Sequence, residues 1–125
     1  MEHSYQIKVV ARPFYLAEQS DEKEEQYTFA YQITIENTGS ITAKLIARHW
    51  IIEDASGKQQ EVRGLGVVGE HPELAPGETF EYTSGVTLNT PVGTMRGTYQ
   101  MIAADGTEFE AEIPSFVLAM PRTLH

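Results

Sequence analysis

YTFAYQITIENTGS, residues 27–40, is the stretch of this 125-residue chain that decides its fold. Large apolar side chains occupy every second position in its first half, at Phe29, Tyr31, Ile33 and Ile35. A period of two is typical of a β-strand with one buried face and one face in water. The last four residues, NTGS, are of types that favour turns. The segment therefore predicts a half-buried strand that is followed by a turn.

Similar alternation continues on both sides of this strand. Residues 5–11 alternate, and Pro13 then closes or bends the segment, as is typical near a sheet edge. Downstream, turn residues separate further alternating segments at residues 59–63, 79–85, 94–103 and 107–118. Each of these segments predicts a strand.

The segment at residues 41–58 is apolar on both sides, and we expect its Trp50 to lie in the core. Strict alternation assigns one face to Leu45, Ala47, His49 and Ile51. It assigns the opposite face to Ile46, Arg48, Trp50 and Ile52.

These patterns predict about seven strands, and no window of eleven or more residues shows a helical stripe. Many short strands between turns, without helices, are typical of an antiparallel β-sandwich of the immunoglobulin or fibronectin type III kind. A partly open barrel is the alternative. Because the chain shows no internal repeat and no linker, residues 1–125 are expected to form a single domain.

The charge balance disfavours two classes of partner. The chain carries 18 acidic and 9 basic residues, for a net charge of −9. Such a surface is repelled by a phosphate backbone and by anionic lipid, so we expect no nucleic-acid or membrane partner. The first ten residues lack a signal-peptide pattern, and no apolar run approaches the roughly 20 residues of a membrane span. There is no cysteine, and a soluble cytoplasmic protein is expected.

The segment RGLGVVGEHP, residues 63–72, contains a match to the spacing G-x-G-x-x-G. In a dinucleotide-binding fold such glycines precede a helix whose N-terminus faces the pyrophosphate. Here two prolines follow closely and no helical period is present, so a Rossmann fingerprint is not expected. We expect instead that Gly64, Gly66 and Gly69 let an edge strand bulge or turn with positive φ.

A second hypothesis stays open for the same loop. Consecutive backbone N–H groups in a turn can form a concavity that binds a phosphate or carboxylate without a helix. Arg48 or Arg96 would assist if the fold brings either one near. The candidate phosphate or pyrophosphate ligands are Arg63, Gly64, Gly66 and Gly69.

Three stretches resemble the ApaG family: ARHWIIEDASG at residues 47–57, RGLGVVGEHPELAPGETFEYTSGVTLNTPVGTMRGTYQM at residues 63–101, and DGTEFEAEIPSFVLAMPRTL at residues 105–124. The resemblance implies a fibronectin type III-like sandwich in a small bacterial protein with no established enzymatic activity. It also implies a gene beside a diadenosine tetraphosphate hydrolase in many genomes, and a link to cobalt resistance and magnesium homeostasis.

Related domains in eukaryotic F-box proteins and in a polymerase-interacting protein look like protein-binding modules. In the family, the G-x-G-x-x-G loop has been suggested to bind pyrophosphate. By resemblance, that loop corresponds to Gly64, Gly66 and Gly69.

No other constellation predicts catalysis or a metal site. Ser84, in TSG, lacks a nucleophile elbow, and we interpret TSG as a bulge or turn at a strand end. Glu70, His71 and Glu73 could supply metal ligands, but an exposed acidic loop accounts for them more simply. The acidic residues 17–26 are expected to form a mobile solvated loop. The four histidines show no metal-binding spacing: His3, His49, His71 and His125.

We therefore expect a non-enzymatic binding domain with no cofactor and no resident metal. The first hypothesis is contact with a protein partner, including another copy of the chain, through a sheet face or an exposed edge. The alternative is a small-ligand binder that holds a phosphate-containing ligand or a divalent cation at residues 64–70. Hydrolysis of a phosphoanhydride is disfavoured because no carboxylate pair or metal motif supports it.

Overall fold

The computed structural model describes residues 2–121 and contains eight β-strands. Seven of them have seven to twelve residues, which agrees with the predicted number of about seven, and the additional one, β5, has only two residues. The strands are β1 (Ile7–Tyr15), β2 (Tyr27–Asn37), β3 (Ala43–Asp54), β4 (Gln59–Leu65), β5 (Glu73–Leu74), β6 (Thr79–Leu88), β7 (Val92–Ala103) and β8 (Glu108–Ala119).

All strand pairs are antiparallel, and they form two sheets. The first sheet has the order β1-β2-β6, and the second has the order β4-β3-β7-β8, with β5 added to β3. The predicted β-sandwich of the immunoglobulin or fibronectin type III kind is confirmed. No α-helix occurs among residues 2–121. This part of the chain therefore contains no helix that is long and apolar enough to cross a bilayer.

The core lies where the inner faces of the two sheets meet. The four alternating apolar residues of β2 are each at most 6% exposed. Trp50 is 2% exposed, which confirms its place in the core, and its ring contacts the rings of Tyr31, Tyr99 and Phe116. Aromatic rings in such edge-on contacts stabilise a core beyond the area that they bury.

The two sides of the sandwich differ. On one side β1 and β8 lie beside each other, and each carries a proline, Pro13 and Pro114. On the other side the edge strands are β4 and β6, and neither contains a proline. An open cleft of about 290 Å³ separates these two strands.

A β-bulge in β3 corrects the predicted alternation. Leu45 pairs with Met101 but Ala47 pairs with Gln100, so Ile46 is an extra residue. An extra residue moves all following side chains to the opposite face. Arg48 therefore shares the inner face with Leu45, whereas strict alternation assigns the two residues to opposite faces.

Two further segments differ from expectation. Ser84 and Gly85 are not at a strand end but in the middle of β6, where the pairing with β2 continues without a bulge. The acidic segment before β2 forms two short 3-10 turns, Ala17–Gln19 and Glu22–Glu24. The Asp21 side chain caps the second turn by accepting from the Glu24 N–H.

Candidate functional site

Gly64 is an extended residue of β4, and its role is to make room for Arg48. The two residues pair across β3 and β4. A Cβ on Gly64 would lie 2.7 Å from Cζ of Arg48, closer than packed atoms allow. The predicted positive φ is therefore wrong for Gly64 and right for Gly66 and Gly69, with φ of 64° and 80°.

The rest of the glycine loop is a tight hairpin turn. Val67 and Glu70 exchange two backbone hydrogen bonds of 2.8 Å, and Val68 and Gly69 lie between them. Both of these central residues have positive φ, which is the pattern of a type I′ turn. The loop thus bends back on itself where a dinucleotide-binding fold would begin a helix.

The N–H groups of the loop are mostly used within the chain. The Gly66 N–H donates to the carbonyl oxygen of Ile46 at 2.9 Å, and those of Val67 and Glu70 donate to each other's carbonyls. At the tip of the turn, the N–H groups of Val68 and Gly69 donate to no acceptor among residues 2–121. An anion at this loop would therefore meet two adjacent donors.

Arg48 is held against the carbonyl side of the loop. Its Nη1 donates to the carbonyl oxygens of Leu65 at 3.0 Å and Gly66 at 2.8 Å. No carboxylate of residues 2–121 lies within 4.0 Å of its guanidinium. Arg48 is thus a half-buried positive charge that is hydrogen-bonded but not neutralised by an acidic side chain.

The other two arginines considered for the loop lie elsewhere. The Arg63 side chain is 73% exposed, and its Nη2 lies 3.9 Å from a carboxylate oxygen of Glu61. Arg96 is exposed on β7 and pairs with Ile51. The structure therefore brings Arg48 to the loop, leaves Arg63 beside it and separates Arg96 from it.

Two buried tyrosines lie close to Arg48. The hydroxyl oxygens of Tyr82 and Tyr99 are 2.5 Å apart and connect the two sheets. Burial raises the pKa of Tyr82 to about 12, and burial also raises the pKa of Tyr99 well above its ordinary value. The positive charge of Arg48 opposes both pKa increases, because it favours the negatively charged form of each tyrosine.

Arg48 also lines the open cleft between the sheets. The two walls are the edge strands, with Gln60 and Val62 on β4 and residues 84–87 on β6. The floor is formed by apolar and aromatic side chains, namely Tyr31, Trp50, Ile52 and Met95. The cleft thus combines an apolar floor, two strand edges and one guanidinium.

The remaining candidate ligands do not form one cluster. His71 Nδ1 lies 3.2 Å from the Leu45 carbonyl oxygen, and His49 Nε2 lies 3.8 Å from a carboxylate oxygen of Glu61. Among residues 2–121 no group of three or more histidine or acidic side chains is arranged to hold a metal ion. His125 lies outside the described residues.

The fold and this loop define a small antiparallel sandwich domain, and comparison with known proteins identifies its family. The model of the ApaG domain matches residues 17–103. The chain is 64% identical to Protein ApaG of Thiobacillus denitrificans over 97% of this chain and 95% of that protein. It is 60% identical to Protein ApaG of Nitrosospira multiformis over the same shares of the two chains.

A solved structure agrees with these matches. A crystal structure from Bordetella pertussis, described as an ApaA protein, superposes with a TM-score of 0.93 at 58% identity. The superposition covers 96% of this chain and 98% of that one. The chain belongs to the ApaG family, and the predicted family membership is confirmed.

The sequence predicted the bend at the glycine loop, but it did not predict that Arg48 packs against Gly64 and donates hydrogen bonds to the loop. The glycine spacing and the nearby prolines predicted a bend. Arg48 was one of two assisting arginines, and nothing in the sequence distinguished it from Arg96. Its position depends on the bulge at Ile46 and on cross-strand pairing with Gly64. A useful signal is a glycine within a strand, since such a residue often marks a close approach by another group.

Proposed function

We propose that the chain is a non-enzymatic interaction domain that binds a protein partner along its open side. The observation that carries this proposal is the free edge of β6. This ten-residue strand pairs with β2 on one side and has no strand partner on the other among residues 2–121. A long free edge offers a row of backbone donors and acceptors to an added strand.

The contrast between the two sides supports this proposal. Proline removes a ladder donor, and natural proteins use it to protect sheet edges against pairing. Here the prolines lie on β1 and β8, where the two sheets approach each other, and the exposed edges β4 and β6 have none. The cleft between these edges has a volume of about 290 Å³, and the partly exposed Val62 and Val86 on its walls offer apolar contacts to side chains of the partner.

The resemblance to the ApaG family implies a role in cobalt resistance and magnesium homeostasis, and this proposal assigns that role to the protein partner rather than to a metal site in the domain. We propose that the domain influences divalent-cation balance through its protein partner. An identical partner remains within the proposal, because a strand edge can pair with the same edge of a second copy.

Photo-crosslinking tests the proposal directly. A photoreactive amino acid at Thr83 on β6 should capture a defined protein in the cytoplasm, whereas one at Thr98 on the outer face of the other sheet should not. The captured protein should then bind the purified domain in calorimetry. Equal labelling from the two positions, or no binding in the purified system, would contradict a partner on the β6 edge.

A second candidate function is binding of a phosphate or pyrophosphate at Arg63, Gly64, Gly66 and Gly69. The observation that favours it is the tip of the hairpin, where the two free N–H groups of Val68 and Gly69 are adjacent. Val68 holds a positive φ of 43°, which is strained for a β-branched residue. Strain of this kind is frequent at ligand sites.

Amide chemical shifts separate the two candidates. Pyrophosphate, diadenosine polyphosphate, Mg²⁺ and Co²⁺ are added in turn to the isotopically labelled domain. Saturable shifts confined to residues 63–71 would support the ligand site. A loop that does not respond to any of the four would contradict it and leave the partner proposal unaffected.

A further inference from the structure

We propose that the open cleft binds an extended peptide with an acidic side chain, whose carboxylate pairs with Arg48. This inference rests on the proposed function and adds the chemistry of the partner. The peptide lies along the free edge of β6 as an added strand, and its inward-facing side chains enter the cleft toward β4.

The first argument is the charge of Arg48. A guanidinium has five N–H donors, and Nη1 supplies the two hydrogen bonds to the Leu65 and Gly66 carbonyls. The donors of Nη2 and Nε remain for another acceptor. A half-buried cation is costly without an anion beside it, yet no carboxylate of residues 2–121 is close, although the chain has twice as many acids as bases. An acidic side chain from outside completes this arrangement.

The second argument concerns the kind of anion. A planar guanidinium matches a carboxylate well, and the pair can form two parallel hydrogen bonds. The cleft contains one arginine and an apolar floor, so it suits a single charge attached to an apolar neighbour. A polyphosphate would bring several charges to a chain whose net charge is already −9.

The third argument is the spacing along β6. Inward side chains follow one another at every second residue, as Tyr82, Ser84 and Val86 do. An added strand has the same period, so one inward side chain meets Arg48 and the next lies over Val62 and the apolar floor. The recognised pattern is therefore an acidic residue and a β-branched or aromatic residue two positions apart.

The experiment uses two synthetic peptides and the intact domain. Both are acetylated and amidated with the sequence Thr-Xaa-Thr-Val-Thr-Val, where Xaa is Glu in one and Gln in the other. Binding is followed by amide shifts and calorimetry at neutral pH and low salt. We expect the Glu peptide to bind about tenfold more tightly than the Gln peptide. Both should shift residues of β6 and β4.

Two substitutions, each of which removes one positive charge, complete the test. Arg48→Met removes the guanidinium and keeps an apolar stem, and Arg96→Gln removes a positive charge outside the cleft. The preference for Glu should disappear with Arg48→Met and persist with Arg96→Gln. The comparison of the two peptides on the unaltered domain stays valid even if Arg48→Met fails to fold.

Three outcomes would overturn the inference. In the first, the unaltered domain binds both peptides equally. In the second, neither peptide shifts β6 at millimolar concentration. In the third, the same residues shift with increasing domain concentration alone, because a second copy then occupies the cleft. If both peptides bind equally at β6, the acidic preference is wrong but the proposed partner site on β6 stands. If crosslinking from Thr83 is no more specific than from Thr98, the proposed function itself is wrong.

Discussion

The hydroxyl oxygens of Tyr82 and Tyr99 lie 2.5 Å apart inside the core and join β6 of one sheet to β7 of the other. Tyr82 is 7% exposed, and Tyr99 is fully buried. A buried hydroxyl is costly without a partner, and here each one satisfies the other. Tyr99 also pairs with Arg48 across β3 and β7, so the tyrosine pair lies beside the arginine that lines the cleft.

Tyr99→Phe should lower the free energy of unfolding by about 1–3 kcal/mol, because the hydroxyl of Tyr82 would stay buried without its partner. Replacing both tyrosines with phenylalanine should cost less than the sum of the two single replacements. Urea denaturation of the four proteins measures this coupling. Additive losses would show that the short contact contributes no pairwise stability.

The same pair predicts a loss of stability in alkali. Burial raises the folded-state pKa of Tyr82 to about 12 and also raises that of Tyr99, so both hydroxyls hold their protons more tightly in the folded chain. Their contribution is complete below the unfolded pKa near 10 and is lost as the pH rises through the folded values. The expected slope is about 1.4 kcal/mol per pH unit for one group. The double phenylalanine variant should show a flatter profile in denaturation from pH 8 to 11.

Gly66→Ala should be much more damaging than Gly69→Ala. Both residues have positive φ, so alanine at either position should cost about 1–2 kcal/mol in backbone strain. A Cβ on Gly66 would also collide with the carbonyl oxygen of Glu70, whereas one on Gly69 meets open space. Thermal unfolding of the two variants isolates the effect of the close approach. Equal losses would mean that the loop relaxes around residue 66 at no cost.

Val68→Asn should stabilise the loop by about 1 kcal/mol, because asparagine tolerates the left-handed conformation that strains valine. Val68 is 54% exposed, so little apolar burial is lost. Val68→Thr keeps the branched Cβ and serves as the control, with no gain expected. If the strained turn belongs to a ligand site, Val68→Asn should raise stability and change the pyrophosphate response. A stability gain with no such response would assign the turn a structural role.

The face of each strand could be predicted wherever one side of the strand is polar. The alternation in β2 was correct at every apolar position, because a misplaced residue there would put a polar side chain into the core. In β3 both sides are apolar, so hydrophobicity does not reveal the extra residue at Ile46. Before the bulge, Leu45 lies on the inner face with Ala43, as strict alternation predicts. After the bulge, the inner face is that of Arg48 and Trp50, which strict alternation assigns to the outer side.

The candidate site was only partly predictable for a related reason. A bend at the glycine loop follows from local residue types, and it was found. The approach of Arg48 to Gly64 joins two strands across a sheet, and its register depends on the bulge and on the turn between β3 and β4. Local sequence patterns do not contain that register.

The contact between Arg48 and Gly64 gives the last prediction. Gly64→Ala should destabilise the domain because the new Cβ would press on the guanidinium, whose Cζ lies 2.7 Å from the ideal Cβ position. Gly64 does not need positive φ, so the same substitution should cost little once the guanidinium is gone. In an Arg48→Ala background, Gly64→Ala should therefore be nearly neutral. Because the guanidinium ends a flexible side chain that can move aside, the expected coupling between the two sites is about 0.5–1 kcal/mol. Urea denaturation of the four proteins in this cycle measures that coupling, and an equal cost of Gly64→Ala in both backgrounds would mean that the glycine serves the strand itself rather than the arginine.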